Sequence, residues 1–333
     1  MSAIHRHEGH EVAVKFIIKS KIPEHSWAYD DDGNRIPLEA KMLSLVNHPG
    51  IIKFIDLFED EVYFYLVEEL HGTPWSAGVK FSKLPDSATM PSRSSSSNTS
   101  VSDVLADNIY RASQYSTRKP EDSSLGLHLR EEHSDGVDHR TPSKPEFVRR
   151  PSRDLFECIE QSEYKRLSEA DARYIFAQVV DIVDYLDDEG ITHRDVKDEN
   201  LVIDENLKVK LIDFGSVVIT DPTQPRPYYD LFYGTAAYAS SEILRKMPYQ
   251  APPAEIWTLG VLLSYLLTGS SPFPSETHAL EGKVKLDEQC GARVSRSCLH
   301  LMKRCLDADP ERRADIKEVK AHPWLKGALA RRC

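Results

Sequence analysis

The sequence has no apolar run that approaches the length of a membrane span, and its polar start, MSAIHRHEGH, is not a signal peptide. Its five cysteines are widely separated and never spaced C-x-x-C, which argues against a disulfide framework and a metal site. Positive charge is also scarce. Because 42 Lys and Arg stand against 53 Asp and Glu, general nucleic-acid or anionic-membrane binding is disfavoured. We expect a soluble protein in a reducing compartment, cytoplasmic or nuclear, without nucleic-acid or membrane partners.

The first 72 residues alternate between strand and helix patterns. EVAVKFIIK alternates and is rich in valine and isoleucine, which predicts a strand. IPLEAKMLSLVNH places Leu38, Met42 and Leu45 at helical spacing between a proline and His-Pro-Gly. IIKFIDLFED and EVYFYLVEEL predict two further strands joined by a short acidic turn. Residues 1–72 are therefore expected to form a small, sheet-rich lobe.

The composition changes abruptly after His71-Gly72. Residues 92–102 hold seven serines in eleven positions, and the chain stays polar and poor in aliphatic residues to about Arg150. Such a segment buries too little apolar surface to offset its ordering entropy. We therefore expect residues 73–152 to be a disordered, Ser-rich insertion.

Helical patterns dominate the rest of the chain. SEADARYIFAQVVDIVDYLDDEG predicts a long helix that Ser168 caps and that ends at Gly190. LVIDE and KVKLID predict two short strands, and three helical stretches follow: EIWTLGVLLSYLLTG, VSRSCLHLMKRCL and DIKEVKAHPWL. The expected class is α+β, with a helical lobe over residues 153–326, a tail over 327–333 and a cleft between the lobes.

The stretch HRDVKDEN, residues 193–200, is the strongest candidate for chemistry. A charged run is more often a solvated loop, but Asp213-Phe214-Gly215 follows it after two short strands. GTAAYASSE and EIWTLG come later in the chain, while Val12-Ala13-Val14-Lys15 and a helix carrying Glu39 precede it. These six elements, in this order, resemble a protein kinase. The resemblance implies a bilobal protein-kinase-like fold with an incomplete N-terminal β-rich lobe and a helical C-terminal lobe.

The resemblance implies a role for each matching residue. Asp195 is expected to accept the proton of the substrate hydroxyl, and Lys197 to neutralise the transferred phosphate of ATP. Asn200 and Asp213 offer the oxygen ligands that Mg²⁺ prefers. Lys15 is expected to hold the α- and β-phosphates of ATP.

Four further positions complete the expected nucleotide site and its surroundings. Glu39 is expected to fix Lys15, although such a helix residue is solvated in most proteins. The backbone at Glu69 and His71 is expected to meet the adenine edge, with Val202 packing below the ring.

The resemblance also assigns roles to two residues of the activation segment. Thr235 is expected to contact both Asp195 and Lys197, and together with the D-x-K-x-x-N spacing it favours serine or threonine acceptors in protein substrates. Glu242 is expected to pair with Arg313 in a structural role.

Within protein kinases the chain resembles the PAS kinases, particularly fungal ones. The marks are Asp198-Glu199, where Pro-Glu is commoner, and the His-Gly after EEL. The resemblance implies a serine/threonine kinase in metabolic or nutrient signalling. Separately, we expect regulatory partners to bind through the 73–152 insertion. A calmodulin-dependent or AMP-activated type of kinase is the alternative within the class.

Three departures from the kinase pattern stand out. Only fourteen residues precede Lys15, and they contain one glycine, so the glycine-rich phosphate loop is missing. We expect a truncated version of a longer kinase; the alternative is a pseudokinase or scaffold with little or no phosphoryl transfer. Glu255 stands where many kinases have Asp. Counting back from His71 places Glu68 at a position that is usually apolar, where a buried carboxylate is costly.

Overall fold

The computed structural model describes residues 2–4, 9, 11–72, 153–221, 223–286 and 294–330. The predicted disordered insertion therefore lies outside the described residues, as does the end of the predicted tail. Over the described ranges, no helix combines the length and apolar character that crossing a membrane requires.

The small lobe is built on a four-stranded antiparallel sheet. Its strands are β1 Ser2–Ile4, β2 Glu11–Ile18, β5 Phe54–Glu59 and β6 Tyr63–Glu69, and they lie in the order β1-β2-β6-β5. β2 and β6 pair from Val12 opposite Glu69 to Ile18 opposite Tyr63. β1 was not predicted, because three residues are too few to show a period. It covers only the first three residues of β2.

A small hairpin and a helix connect the sheet strands. The hairpin consists of β3 Trp27–Tyr29 and β4 Arg35–Pro37, and helix α1 runs over Leu38–Leu45. The hairpin was not predicted, although its turn has a local signal: Asp30 accepts hydrogen bonds from the backbone N–H groups of Asp32 and Asn34, at 3.0 and 2.7 Å. It leads directly into α1, which carries Glu39.

The strand predicted from Ile51 begins three residues later, at Phe54. The backbone before it pairs with the large lobe instead. Leu211 donates its N–H to the carbonyl of Gly50 at 2.8 Å, and Ile52 donates to the carbonyl of Leu211 at 3.0 Å. These bonds tie the strand next to α1 to the strand that precedes Asp213.

Seven helices of the large lobe lie within the described residues. They are α2 Leu155–Gln161, α3 Glu169–Asp188, α4 Ser241–Leu244, α5 Ala251–Thr268, α6 Glu276–Leu280, α7 Arg296–Cys305 and α8 Ile316–Ala321. The Ser168 side chain accepts the N–H of Asp171, which confirms the predicted cap of α3. α5 is buried on nearly all sides around Trp257, so it forms the centre of the lobe.

The large lobe also contains four short strands. They are β7 Ile191–Thr192, β8 Leu201–Ile203, β9 Val209–Leu211 and β10 Val218–Ile219, paired as β8-β9 and β7-β10. The β8-β9 hairpin was predicted; the two-residue strands were not. Residues 193–200 connect β7 to β8, and Asp213 follows β9, so the two motifs lie side by side.

Candidate active site

The loop between β7 and β8 and the turn after β9 both contain unusual backbone. Arg194 and Asp213 each have a φ of 67°, in the left-handed region that residues other than glycine rarely adopt. Such strain is characteristic of functional loops, where surrounding contacts hold it in place. Here Arg194 is fixed by Glu255, whose Oε1 accepts its N–H at 2.8 Å. A longer acid than the Asp of many kinases therefore still reaches the loop backbone.

The carboxylate of Asp195 is oriented by four donors. Its Oδ1 accepts the backbone N–H of Thr235 at 3.0 Å and the Thr235 hydroxyl at 2.8 Å. Its Oδ2 accepts the Asn200 amide at 3.0 Å and lies 3.1 Å from Nζ of Lys197. Lys197 also donates to the Thr235 hydroxyl at 2.8 Å. The predicted contact of Thr235 with both residues is therefore formed.

The approach of Thr235 to the loop requires a glycine before it. A Cβ atom at Gly234 would lie 2.5 Å from the carbonyl oxygen of Arg194 and 2.7 Å from the Phe232 ring. Since no side chain fits in that space, Gly234 lets the activation segment pack directly on the loop that carries Asp195.

Lys15 bridges the two lobes. Its Nζ lies 2.7 and 2.8 Å from the two carboxylate oxygens of Glu39 and 3.1 Å from Oδ1 of Asp213. Burial disfavours the charged lysine, but the two carboxylates outweigh it and raise the pKa of Lys15. Likewise burial opposes ionisation of Asp213, yet the charge of Lys15 holds its pKa below its usual range. Lys15 and Asp213 are therefore ionised at neutral pH, whereas burial raises the pKa of Glu39 against the opposing effect of Lys15.

The two residues expected to bind metal differ in exposure: the Asp213 side chain is 47% exposed, whereas Asn200 is buried. The Asn200 amide nitrogen also donates to the Asp195 carbonyl at 2.9 Å. Within the described ranges, no three His, Cys, Asp or Glu side chains form a metal cluster. An amide oxygen and an ionised carboxylate nevertheless suit Mg²⁺, which takes one or two protein ligands together with substrate phosphates.

Buried packing supports the two loops from below. The His193 ring meets the Phe214 ring edge-on, with centroids 4.9 Å apart. Its Nε2 lies 3.2 Å from the carbonyl oxygen of Ile212. Burial lowers the pKa of His193 to about 4, so this histidine is neutral and acts in packing.

Asp198 has a role that the sequence did not reveal. Its Oδ1 accepts the hydroxyl of Tyr238 at 2.9 Å, inside the protein, and burial raises the pKa of Asp198. The bond joins the loop of Asp195 to the segment that follows Thr235. The only signal was the replacement of the commoner proline, which carries no information about a partner 40 residues away.

The residues expected to contact adenine, and the expected pair of Glu242 and Arg313, lie at different places in the fold. Val202 is half-buried on β8, and the imidazole Nε2 of His71 lies 3.0 Å from the carbonyl oxygen of Lys208. Glu69 ends β6 and pairs through its side chain with Lys210. The predicted pair of Glu242 and Arg313 is present and buried, with two bonds of 2.9 and 2.7 Å.

Glu68 lies inside the small lobe, as its position in the sequence predicted. The residue is 8% exposed, and its Oε1 has no hydrogen-bond partner within the described part of the chain. Burial raises the pKa of Glu68 to about 7, and the negative charge of Glu39 adds to this effect.

Comparison with known proteins places this geometry in a family. The sequence profile of the family described as "Protein kinase domain" matches residues 1–112 and 146–325. Serine/threonine-protein kinase PSK2 of Saccharomyces cerevisiae is 28% identical over 97% of the chain. The PAS domain-containing serine/threonine-protein kinase of Mus musculus is 29% identical over 97% of it. The chain spans 22% and 17% of the lengths of these two relatives. The resemblance to PAS kinases is confirmed.

Proposed function

This chain belongs to the protein kinase domain family, and from its site we propose that it transfers the γ-phosphate of ATP to serine or threonine hydroxyls of proteins. The observation that carries the proposal is the network of Asp195, Lys197, Asn200 and Thr235, together with the ion pair that joins Lys15 of the small lobe to Asp213 of the large lobe. The named relatives are themselves serine/threonine kinases.

Asp195 is the proposed base. Four donors fix its carboxylate, so the substrate hydroxyl meets a preorganised acceptor. As the hydroxyl oxygen attacks the γ-phosphorus, its proton passes to Asp195 and the bond from the β,γ-bridging oxygen to phosphorus breaks. Lys197 lies beside Asp195 and neutralises negative charge on the transferred group.

Lys15 is proposed to hold the α- and β-phosphates, and Glu39 keeps its ammonium group in position. Asn200 and Asp213 are the proposed ligands of Mg²⁺, which supplies charge neutralisation to the phosphates when bound. The backbone of Glu69 and His71, with Val202 below, is proposed to receive adenine.

The domain assignment and the biological setting are also proposals. We assign residues 1–72 to the kinase N-lobe, 73–152 to an insertion, 153–326 to the C-lobe and 327–333 to a tail. The family match skips residues 113–145, which supports an insertion there. The similarity to PAS kinases supports a role in metabolic or nutrient signalling. Regulatory partners that bind through the insertion are a separate part of the proposal.

A kinase assay on the Asp195→Ala variant tests the proposal. Transfer of labelled phosphate from ATP to a serine peptide is expected to fall about 10²- to 10⁴-fold, because the proton acceptor is lost. Glu163→Ala removes an exposed acid elsewhere and serves as the control. Equal thermal unfolding would show that the fold is intact. Activity of Asp195→Ala near that of the parent chain would contradict the proposal.

A further inference from the structure

Asp198 and Tyr238 form a hydrogen bond in the interior of the large lobe. The Tyr238 hydroxyl donates to Oδ1 of Asp198 at 2.9 Å, and each residue is only 5% exposed. Because both groups are enclosed, water does not readily replace one partner when the other is removed. The bond is therefore a specific link between two segments that lie 40 positions apart in the chain.

The Tyr238 side chain has a fixed position in the lobe. Its ring stacks on the ring of Tyr265 in the central helix α5, with centroids 5.6 Å apart and 23° between the planes. Its backbone N–H donates to the carbonyl oxygen of Thr235 at 2.9 Å, which closes the single turn Ala236–Tyr238. The position of the Tyr238 hydroxyl is therefore tied to that of Thr235.

Asp198 lies between two residues of the proposed catalytic network. It directly follows Lys197 and begins the short turn Asp198–Asn200. In that turn the backbone N–H of Asn200 donates to the carbonyl oxygen of Lys197 at 3.1 Å, and the Asn200 side chain donates to the carboxylate of Asp195 at 3.0 Å. The carboxylate that accepts the tyrosine hydroxyl therefore belongs to the turn that helps to orient the proposed base.

These contacts form a closed ring that includes the proposed base. Thr235 donates its hydroxyl to Asp195 at 2.8 Å, and Tyr238 connects Thr235 to Asp198 through two bonds of 2.9 Å. Asn200, in the same turn as Asp198, donates back to Asp195. Proline, the commoner residue at position 198 in protein kinases, has no side-chain acceptor and leaves this ring open.

We propose that Asp198 is a positioning residue for phosphoryl transfer, because its bond to Tyr238 holds the turn of Asn200 at a set distance from Thr235. The inference rests on the proposed function, in which Asp195 accepts the proton of the substrate hydroxyl. Asp198 contacts neither the hydroxyl nor the phosphate in this role. It acts through the two neighbours that orient the carboxylate of the base, so loss of the bond lowers the rate of transfer.

A double-mutant cycle in enzyme kinetics tests the inference. Tyr238→Phe deletes the donor and Asp198→Ala deletes the acceptor, and we expect each change to lower kcat on a serine peptide about tenfold. The double variant is expected to lose no more than either single variant, because both changes remove the same bond. Asp198→Asn keeps an acceptor oxygen, so its kcat is expected to stay within a few-fold of the wild type. The KM for ATP is expected to stay constant.

Tyr164→Phe and Asp32→Ala make the same changes at exposed positions and serve as controls. If the bond had only a structural role, the variants would lose unfolding free energy in urea but keep the kcat of the wild type. That result would overturn the inference, as would losses that multiply to about a hundredfold in the double variant. In both cases the wild type still phosphorylates the peptide and the proposed function stands.

Wild-type protein that transfers no phosphate would contradict the inference and the proposed function together. Tyr238→Phe and Asp198→Asn are nearly isosteric with the wild type. Their comparison therefore remains decisive even if Asp198→Ala does not fold: equal kcat of Tyr238→Phe and the wild type would overturn the inference.

Discussion

Thr235 donates two hydrogen bonds to the same oxygen of Asp195, one from its backbone N–H and one from its hydroxyl. A residue of the activation segment thus fixes the carboxylate of the proposed base, 40 positions earlier in the chain. The position of that segment and the orientation of the base are therefore coupled.

Replacing the hydroxyl of Thr235 tests this coupling. Thr235→Val keeps the shape and the backbone N–H but removes the side-chain donor, so we expect kcat to fall about tenfold to a hundredfold. Thr235→Ser keeps the donor and is expected to stay within a few-fold of the wild type. Steady-state kinetics on a serine peptide measure both. Equal activity of Val and Ser variants would show that the hydroxyl does not orient Asp195.

Lys15 is predicted to be essential because it neutralises two acids and faces the cleft. Lys15→Met is expected to reduce phosphoryl transfer roughly 10²- to 10³-fold, since Glu39 and Asp213 lose their shared cation. Lys19→Met removes a half-buried lysine that follows β2 and pairs with the exposed Glu59, and it is the matched control. If both variants kept wild-type activity, Lys15 would have no catalytic role.

The buried pair of Glu242 and Arg313 is predicted to stabilise the large lobe. Glu242→Gln leaves the fully buried Arg313 guanidinium without its countercharge, and we expect a loss of roughly 3–5 kcal/mol of unfolding free energy. Glu59→Gln breaks an ion pair in which the glutamate is 60% exposed, and should cost less than about 1 kcal/mol. Urea unfolding measures the loss of unfolding free energy in both variants. Similar losses would contradict the expectation that the buried ion pair contributes more than the exposed one.

Glu68 is predicted to make stability depend on pH. Its pKa is about 7 in the folded chain against 4.5 for the free side chain, so the folded state binds the extra proton. The contribution of Glu68 to stability is therefore greatest below pH 4.5 and is lost as the pH rises to about 7. This loss amounts to roughly 3 kcal/mol of unfolding free energy. Glu68→Gln removes this dependence.

Urea unfolding of the wild type and Glu68→Gln between pH 5 and pH 8 is the measurement. The variant is expected to gain stability relative to the wild type as the pH increases. The reason is that the wild type must then either bury a charged Glu68 carboxylate or keep the proton on Glu68. A constant difference across this range would mean that Glu68 does not titrate differently on folding.

The long elements and the motif residues were predictable because their signals are local. α3 shows its cap and its period within one continuous stretch, and β2 and β6 are continuous runs of eight and seven residues. The hairpin of β3 and β4 was missed because strands of three residues are too short for a period. Ile51 was placed in a strand because pattern alone does not show that its neighbours pair with Leu211.

The sequence by itself determined which side chains are available for chemistry, their order, and the helices and strands that carry them. Only the tertiary structure decided which of them meet. Lys15 and Asp213 are 198 positions apart and touch because the lobes pack through the strand pairing at Gly50 and Leu211. The same packing gave Asp198 its tyrosine partner and left Glu68 enclosed without one. Contacts between distant segments depend on how whole elements pack, and no local pattern encodes that.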